Sequence, residues 1–455
     1  MIEPDGTLVS FAALFATTLS FAETLAVQGV GPGTLVAVHV PDPIAGLALR
    51  LALLRIGATV LAVPRDFVTG PGIPGPLRHV VPHSSATGSA DEIPVTPDWL
   101  HPPRRVLPVS GVGVLVKSTS GTTGLPKLRQ FDEKTLLARV RWGADRRGGT
   151  DGPTLIGYGP ASSPGFNHSL RLITDGHLQA HVAETPQATL QRMERLGVTT
   201  VFASPYNFQQ LVQAASDGAT IPTGLRRILV GGGSLTPTLA AKAEALFGAK
   251  VYNTYGSNET GSLAHHRPSQ TPDLPGCVGR LYADVEFRFL DDTGHPSATE
   301  GELSLRPPPD ALPLDYPSGL PLGDADGWIA TGDLGRRLPD GCIVLSGRKS
   351  ELLNIGGIKR APLVFEHLLR GFPGLADIAA FRAPQGDGMD HVGLAVVPAP
   401  GFDADAFRRF TADRLGPLLP FVLHQTRALP VTEAGKIDRK RLTAEFDLQA
   451  ARIPI

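Results

Sequence analysis

The chain is predicted to adopt an α/β fold: a large N-terminal portion of β-sheets packed by helices, followed by a small α+β portion. Three observations predict it. Helix and strand patterns alternate twice within the first 63 residues, a strand-like run ending at Lys117 opens directly into a Ser/Thr/Gly loop, and the pattern changes after Gly347. At 455 residues the chain exceeds one ordinary core. We expect domains at 1–347 and 348–455.

The elements follow from spacing and punctuation. Phe11, Leu14, Phe15, Leu19 and Leu25 recur at helical intervals after Ser10, and Gly31-Pro32-Gly33 breaks the run before the strand-like Leu35 to Val40. Pro43 opens a second apolar helix, Gly57 ends it, and Ala58 to Val63 reads as a strand. Residues 68 to 110, rich in Pro, Gly, Ser and His, are expected as a long surface excursion. Ser204-Pro205 and Thr236-Pro237 each place a hydroxyl cap before a first-turn proline, so helices should follow, the second ending near Gly248. Val198 to Ala203 and Arg227 to Val230 are the strands before them. The proline-rich stretch Arg306 to Leu322 marks a loop or edge. The small portion should hold helices near Leu363 to Leu369 and Ala404 to Leu415, with strands near Ile378 to Phe381 and Val392 to Val397.

Composition narrows the function classes. Hydrophobic residues make up 42% and charged residues 19%, the balance of a soluble globular protein. With 42 Lys+Arg against 43 Asp+Glu there is no global field to favour nucleic acid or anionic lipid. Two cysteines, Cys277 and Cys342, make no disulfide framework. The N-terminus lacks a basic signal region and no 18-residue apolar stretch follows, so a cytoplasmic protein without a membrane span is expected.

The run Ser118, Thr119, Ser120, Gly121, Thr122, Thr123, Gly124, Leu125, Pro126, Lys127 concentrates hydroxyls and backbone N–H groups that can wrap a polyphosphate, with Lys127 as a point charge. It is not the GxxxxGK[ST] loop, because Lys127 follows Gly124 by three positions and precedes Leu128. Gly231, Gly232 and Gly233 follow a strand, where the absence of side chains leaves backbone open to a flat ligand or makes a tight turn into a helix. Asn253 and Tyr255-Gly256-Ser257-Asn258-Glu259 bring an aromatic ring face and a carboxylate oxygen, a ligand type for Mg2+, into one short run. Taken singly, Tyr255 would be a core aromatic, Glu259 a surface acid, Asp333 a turn residue and Lys436 a solvated charge. His265-His266 has no third ligand spaced to complete a metal site and reads as an exposed loop.

These runs, with Thr331-Gly332-Asp333, Gly347-Arg348-Lys349-Ser350, Asn354-Ile355-Gly356-Gly357 and Gly435-Lys436-Ile437-Asp438-Arg439, occur in the order of the signature segments of one family. They resemble the adenylate-forming superfamily of acyl-CoA synthetases, non-ribosomal peptide adenylation domains and luciferases. The resemblance implies that family's fold, with a mobile C-terminal lid. It implies ATP and Mg2+ as reactants, phosphates on Ser118 to Lys127, ribose hydroxyls on Asp333 and a ribose or phosphate contact from Arg348. It further implies a hinge at Ser350, a thiol tunnel lined by Gly356 and Gly357, and a catalytic role for Lys436 and Glu259. Asn258 stands where Thr is more usual, Ser350 where an acid is common, and Val364 replaces one of two acids.

The implied reaction is activation of a carboxylic acid as acyl-AMP with release of pyrophosphate, then capture by a thiol, with CoA as acceptor. A free-standing acyl carrier protein or an amine is the alternative acceptor. A non-catalytic nucleotide-binding protein is the alternative of another class. The acid pocket is assigned to Ser162, Phe166, Asn167, His168, Tyr206 and Asn207, with Ser162 or His168 as gate. No Asp of the kind that pairs with an α-amine occurs there, so aryl or short to medium acyl acids are expected rather than amino acids.

Overall fold

The computed structural model describes the chain except residues 2–5, 63–75, 120–126, 148–151, 160–161, 316–320, 356–357, 385–389, 416–420, 432–436 and 451–455; at 118–119, 127, 143–147, 311, 315, 354, 358–359, 384, 390 and 447–450 it describes backbone only. Two compact units are present. One comprises Met1–Gln270, Leu281–Val285 and Arg306–Ile329; the other comprises Thr271–Arg280, Glu286–Leu305 and Ala330–Ile455.

The first unit begins as the caps dictate. Ser10 caps α1 (Phe11–Val27) by accepting from Ala13 N, and Asp42 caps α2 (Pro43–Arg55) by accepting from Ile44 N and Ala45 N. Between and after them lie β1 (Leu35–Val38), β2 (Thr59–Ala62), β3 (Leu77–Pro82), β4 (Glu92–Val95), β5 (Val114–Thr119) and β6 (Lys127–Asp132). With the two-residue strand Leu314–Asp315 at its edge, they form a seven-stranded sheet whose order runs from that edge through β6, β5, β2, β1 and β3 to β4. Leu25, Leu49, Leu53, Val36, Val60 and Phe131 are buried in the core between helices and sheet. The excursion expected over 68–110 is therefore partly wrong. Its buried Val80, Val81 and Ile93 supply two parallel strands, and Pro94 is tolerated because β4 is an edge.

After α3 (Glu133–Arg147) come β7 (Thr154–Gly157), α4 (Ser163–Thr174), β8 (Gln179–His181), α5 (Pro186–Arg195), β9 (Thr200–Ala203), α6 (Pro205–Ser216), β10 (Arg227–Gly231), α7 (Pro237–Phe247), β11 (Lys250–Ser257) and β12 (Gly261–His266). The second sheet has the order β12-β11-β10-β9-β7-β8, with every pair parallel except β11–β12. From β7 the chain steps outward to β8 and then returns to the other side of β7 as β9. The carboxyl ends of β7 and β9 therefore flank a topological switch point, the place where open α/β sheets bind ligands. Ser204 and Thr236 cap α6 and α7 as expected, and Gly248 ends α7 with φ +64°. His265 and His266 lie on β12 rather than in a loop. His265 Nδ1 is 2.9 Å from the Tyr282 hydroxyl, because the reversal at Thr260–Gly261 folds this segment back along β11.

The second unit contains a six-stranded sheet ordered Cys277–Gly279, Ile343–Arg348, Ile329–Arg337, Glu300–Arg306, Glu286–Leu290, Pro296–Ser297. A three-stranded sheet pairs Leu375–Pro384 antiparallel with Asp390–Pro398, which runs parallel to Phe421–Gln425. Helices α8 (Pro362–Leu369) and α9 (Ala404–Leu415) enclose Phe365, Phe407, Ile378 and Val392, while α10 (Arg439–Ala450) buries Leu442 among Phe381, Ala383 and Ala395. Among the described residues no helix is long and apolar enough to cross a membrane.

Candidate active site

The switch point gathers several predicted residues of the first unit. Tyr158, next after β7, donates its hydroxyl to Gly231 O at 3.2 Å and accepts from Gly231 N at 3.1 Å, tying the ends of β7 and β10. Asn207 Nδ2 donates to Gly157 O at 2.6 Å and spans β7 and the start of α6. His168 is buried, stacked on Phe202 with centroids 3.9 Å apart and on Tyr158 at 5.8 Å. Tyr158→Phe is expected to destabilise the chain by about 1–3 kcal/mol, since it strips a buried N–H and carbonyl of their partner. Urea unfolding would read this, and an unchanged midpoint would mean that water replaces the hydroxyl.

The neighbouring strand end carries the nucleotide candidates. Gly256 pairs so closely with β12 that a Cβ there would stand 2.0 Å from Gly261 O, which requires glycine. Gly232 has φ +90°, a conformation that turns the chain away from β10 without a side chain. Asn253 is buried on β11 with its Oδ1 unpartnered among the described residues. Ser257 and Thr260 close the turn that holds Asn258 and Glu259: Glu259 N and Thr260 N both donate to Ser257 Oγ at 3.2 Å.

Sequence reasoning missed two cations here. Arg139 of α3 donates Nη1 to Asn258 O at 2.6 Å and Nη2 to Glu259 O, fixing the turn from behind. Burial brings its pKa down to about 9, against the opposing pull of Glu259. Lys117 of β5 is 2% exposed and donates Nζ to Ser163 Oγ at 2.8 Å and Asn167 Oδ1 at 3.0 Å. Burial, and secondarily Arg139, holds its pKa well below the ordinary lysine value. Both cations face the Phe131 ring, at 4.5 Å and 4.6 Å from its centroid. The available signal for Lys117 was a single cation interrupting Val114-Leu115-Val116 just before the loop.

Other predicted positions fall differently. Ser162 is the N-cap of α4: its Oγ donates to Gly159 O at 2.6 Å and accepts from Gly165 N at 3.2 Å. Phe166 lies in the core beside Leu136 and the first sheet, and Tyr206 is 43% exposed. Ser118, Thr119 and Lys127 are described as strand backbone, while Ser120, Gly121, Thr122, Thr123, Gly124, Gly356, Gly357 and Lys436 lie outside the described residues. Gly233 sits against Pro205, whose Cγ a Cβ would meet at 3.0 Å.

In the second unit, Asp333 and Arg348 are cross-strand partners, with Nε 2.9 Å from Oδ1. Thr331 Oγ1 accepts from Asp333 N at 3.0 Å and donates to Leu303 O at 2.7 Å, which fixes the turn before the carboxylate. Ser350 is exposed in the short helix Lys349–Glu351. Flanking residues 432–436, Val431 and Ile437 form an antiparallel bridge and Asp438 N donates to Pro430 O at 2.8 Å.

The AMP-binding enzyme family matches residues 96–309. A salicylyl-CoA synthase / salicylate adenylyltransferase from a Streptomyces species is 31% identical over 74% of this chain and 64% of its own length. A fatty acid–[acyl-carrier-protein] ligase from Mycobacterium marinum is 29% identical over 72% of this chain and 67% of its own. This chain thus spans about two thirds of the length of these relatives. The structure of an amide bond synthetase from Marinactinospora thermotolerans matches with a TM-score of 0.80 and 25% identity, over 97% of this chain and 96% of that one. Residues 96–309 thus match the AMP-binding enzyme family, and the chain, with its motifs in order on this fold, is similar over most of its length to adenylate-forming enzymes.

Proposed function

We propose that the protein activates a carboxylic acid with ATP and passes the acyl group to a thiol. The observation that carries this reading is the gathering of Tyr158, Asn207, Gly231, Asn253 and the Tyr255–Glu259 segment at the carboxyl edge of one parallel sheet around its switch point. In the first half-reaction a carboxylate oxygen bonds to the α-phosphorus of ATP, the bond from that phosphorus to the bridging oxygen breaks, and pyrophosphate leaves. In the second, a thiolate attacks the acyl carbon and AMP leaves with the electron pair.

The chain's residues divide this work. The buried, unpartnered Asn253 Oδ1 suits an adenine amino group beside Tyr255. Ser118 to Lys127 take the phosphates, Asp333 the ribose hydroxyls, and Lys436 the charge that develops between carboxylate and phosphate. Glu259 is assigned one position on Mg2+. A boundary at Arg348–Ser350, with the lysine segment on the C-terminal side, belongs to the same proposal.

CoA is the acceptor proposed. The relatives named above divide among CoA, a carrier protein and amide formation, so the acceptor is where a second reading has specific support. Acid-dependent exchange of labelled pyrophosphate into ATP tests the first half-reaction without any acceptor. Acyl-CoA, acyl-carrier or amide product is then sought with the acid that gives exchange. Binding of ATP with no exchange across aryl, aliphatic and hydroxy acids would favour the non-catalytic reading.

A further inference from the structure

The turn between β11 and β12 is gripped by one face of α3. Arg139 donates to the carbonyl oxygens of Asn258 and Glu259, and Trp142, one helical turn on, lies against Gly261, where a Cβ would stand 2.9 Å from the Trp142 Cζ3. Trp142 is held in its place by Asp284, whose Oδ2 accepts from Nε1 at 3.0 Å. From the other side the turn closes on itself: Glu259 N and Thr260 N donate to Ser257 Oγ, and Ser257 N donates to Thr260 Oγ1 at 3.3 Å. These backbone groups are thereby taken up, while the Glu259 carboxylate makes no hydrogen bond or ion pair among the described residues. A carboxylate oxygen left open on a turn so held is a fitting ligand for a hard divalent cation.

Space filling does not account for Arg139. Burial works against its charge, and methionine of similar reach would fill the gap between α3 and the turn at less cost. Methionine cannot hold two carbonyls at once, which the planar fork of a guanidinium does. The helix that carries Arg139 follows β6 directly, and the Phe131 ring of β6 lies 4.6 Å from the guanidinium. Arg139 therefore ties the Glu259 turn to the strand that begins at Lys127.

We propose that Arg139 is a positioning residue for the divalent cation that accompanies the nucleotide. Acting through the backbone of Asn258 and Glu259, it holds the Glu259 carboxylate in one place relative to β6, and so raises the affinity for ATP with metal and not for ATP alone. This rests on the adenylation reading and deepens the role of Glu259 in that same site.

The test measures binding to the full chain, with Mn2+ as a paramagnetic stand-in for Mg2+. Kd is determined for ATP with Mn2+ and for ATP in EDTA, in the wild type, Arg139→Lys, Glu259→Gln and the double variant. Lysine keeps the charge but cannot hold both carbonyls. Arg139→Lys is expected to weaken ATP with Mn2+ about tenfold while ATP in EDTA moves less than about twofold. On top of Glu259→Gln it is expected to add less than about twofold, because the carboxylate it acts through is then gone. A merely structural arginine would instead weaken ATP equally with and without metal, or multiply with Glu259→Gln. Either result overturns the proposal, as does an unchanged Kd in Arg139→Lys or a wild type whose ATP binding does not depend on metal. Where the lysine variant does not fold, Arg139→Gln takes its place, its amide still donating to one carbonyl. A metal-dependent loss in Arg139→Lys without pyrophosphate exchange from any acid defeats the adenylation reading and leaves the assignment of Arg139 standing.

Discussion

Lys436→Ala is expected to lower acid-dependent pyrophosphate exchange by about 10²–10³-fold, the usual consequence of removing a charge or donor aimed at the transition state. Adenylation brings a carboxylate onto a phosphate that already carries negative charge, so one ammonium between them acts where charge accumulates. Binding of ATP is assigned to the phosphate loop, Asn253, Tyr255 and Asp333, and the KM for ATP is therefore expected to move far less than kcat. Lys436→Arg is not expected to restore the rate, because a planar guanidinium cannot take the place of a compact ammonium. The bridge between Val431 and Ile437 and the Asp438–Pro430 bond involve residues flanking 432–436 and do not use the lysine side chain. The folded state should survive the substitution. Exchange within threefold of wild type would remove Lys436 from the chemistry.

Arg439→Met is expected to destabilise the chain by about 3–5 kcal/mol, as breaking a buried ion pair on one side does. Glu366 of α8 is 1% exposed and accepts from Arg439 Nη2 at 2.6 Å and from Ala380 N at 3.0 Å. Arg439 also donates Nε to Ala380 O at 3.0 Å and stands 3.5 Å from Glu351. Burial works against the Arg439 charge, and the two carboxylates outweigh it, holding its pKa above the ordinary arginine value. Removing the guanidinium leaves Glu366 inside the core with Arg370 no nearer than 4.0 Å. The double variant Arg439→Met with Glu366→Leu should recover much of the loss, because two apolar side chains carry no desolvation penalty. Urea unfolding of the single and double variants measures both. A single-variant loss below 1 kcal/mol would show that water reaches Glu366. The pair also matters for the reaction proposed above: Arg439 lies three residues after Lys436 and joins its segment to α8 and to the short helix Lys349–Glu351.

Much of this was legible in the residues, and the reason is local. Ser204-Pro205, Thr236-Pro237 and Gly248 act on N–H and C=O groups within a few positions of themselves, so the starts of α6 and α7 and the end of α7 followed directly. The ordered motifs likewise carried the resemblance to one family, because they are contiguous runs. The expectation for 68–110 failed because prolines and glycines there read as loop, whereas strand formation depended on β1 offering an open edge to Val80 and, beyond it, Ile93.

The sequence by itself determined the caps, the α/β alternation, the family resemblance and the residues proposed for phosphate, adenine and ribose. Only the tertiary structure decided which distant groups meet. It set the strand order that puts the switch point between β7 and β9, the contact of Lys117 with Ser163 and Asn167 across 46 and 50 residues, and the pairing of Arg439 with Glu366 across 73. A cap or a turn is stabilised by its neighbours in the chain. A buried charge is defined by what packs around it, and no local spacing carries that information.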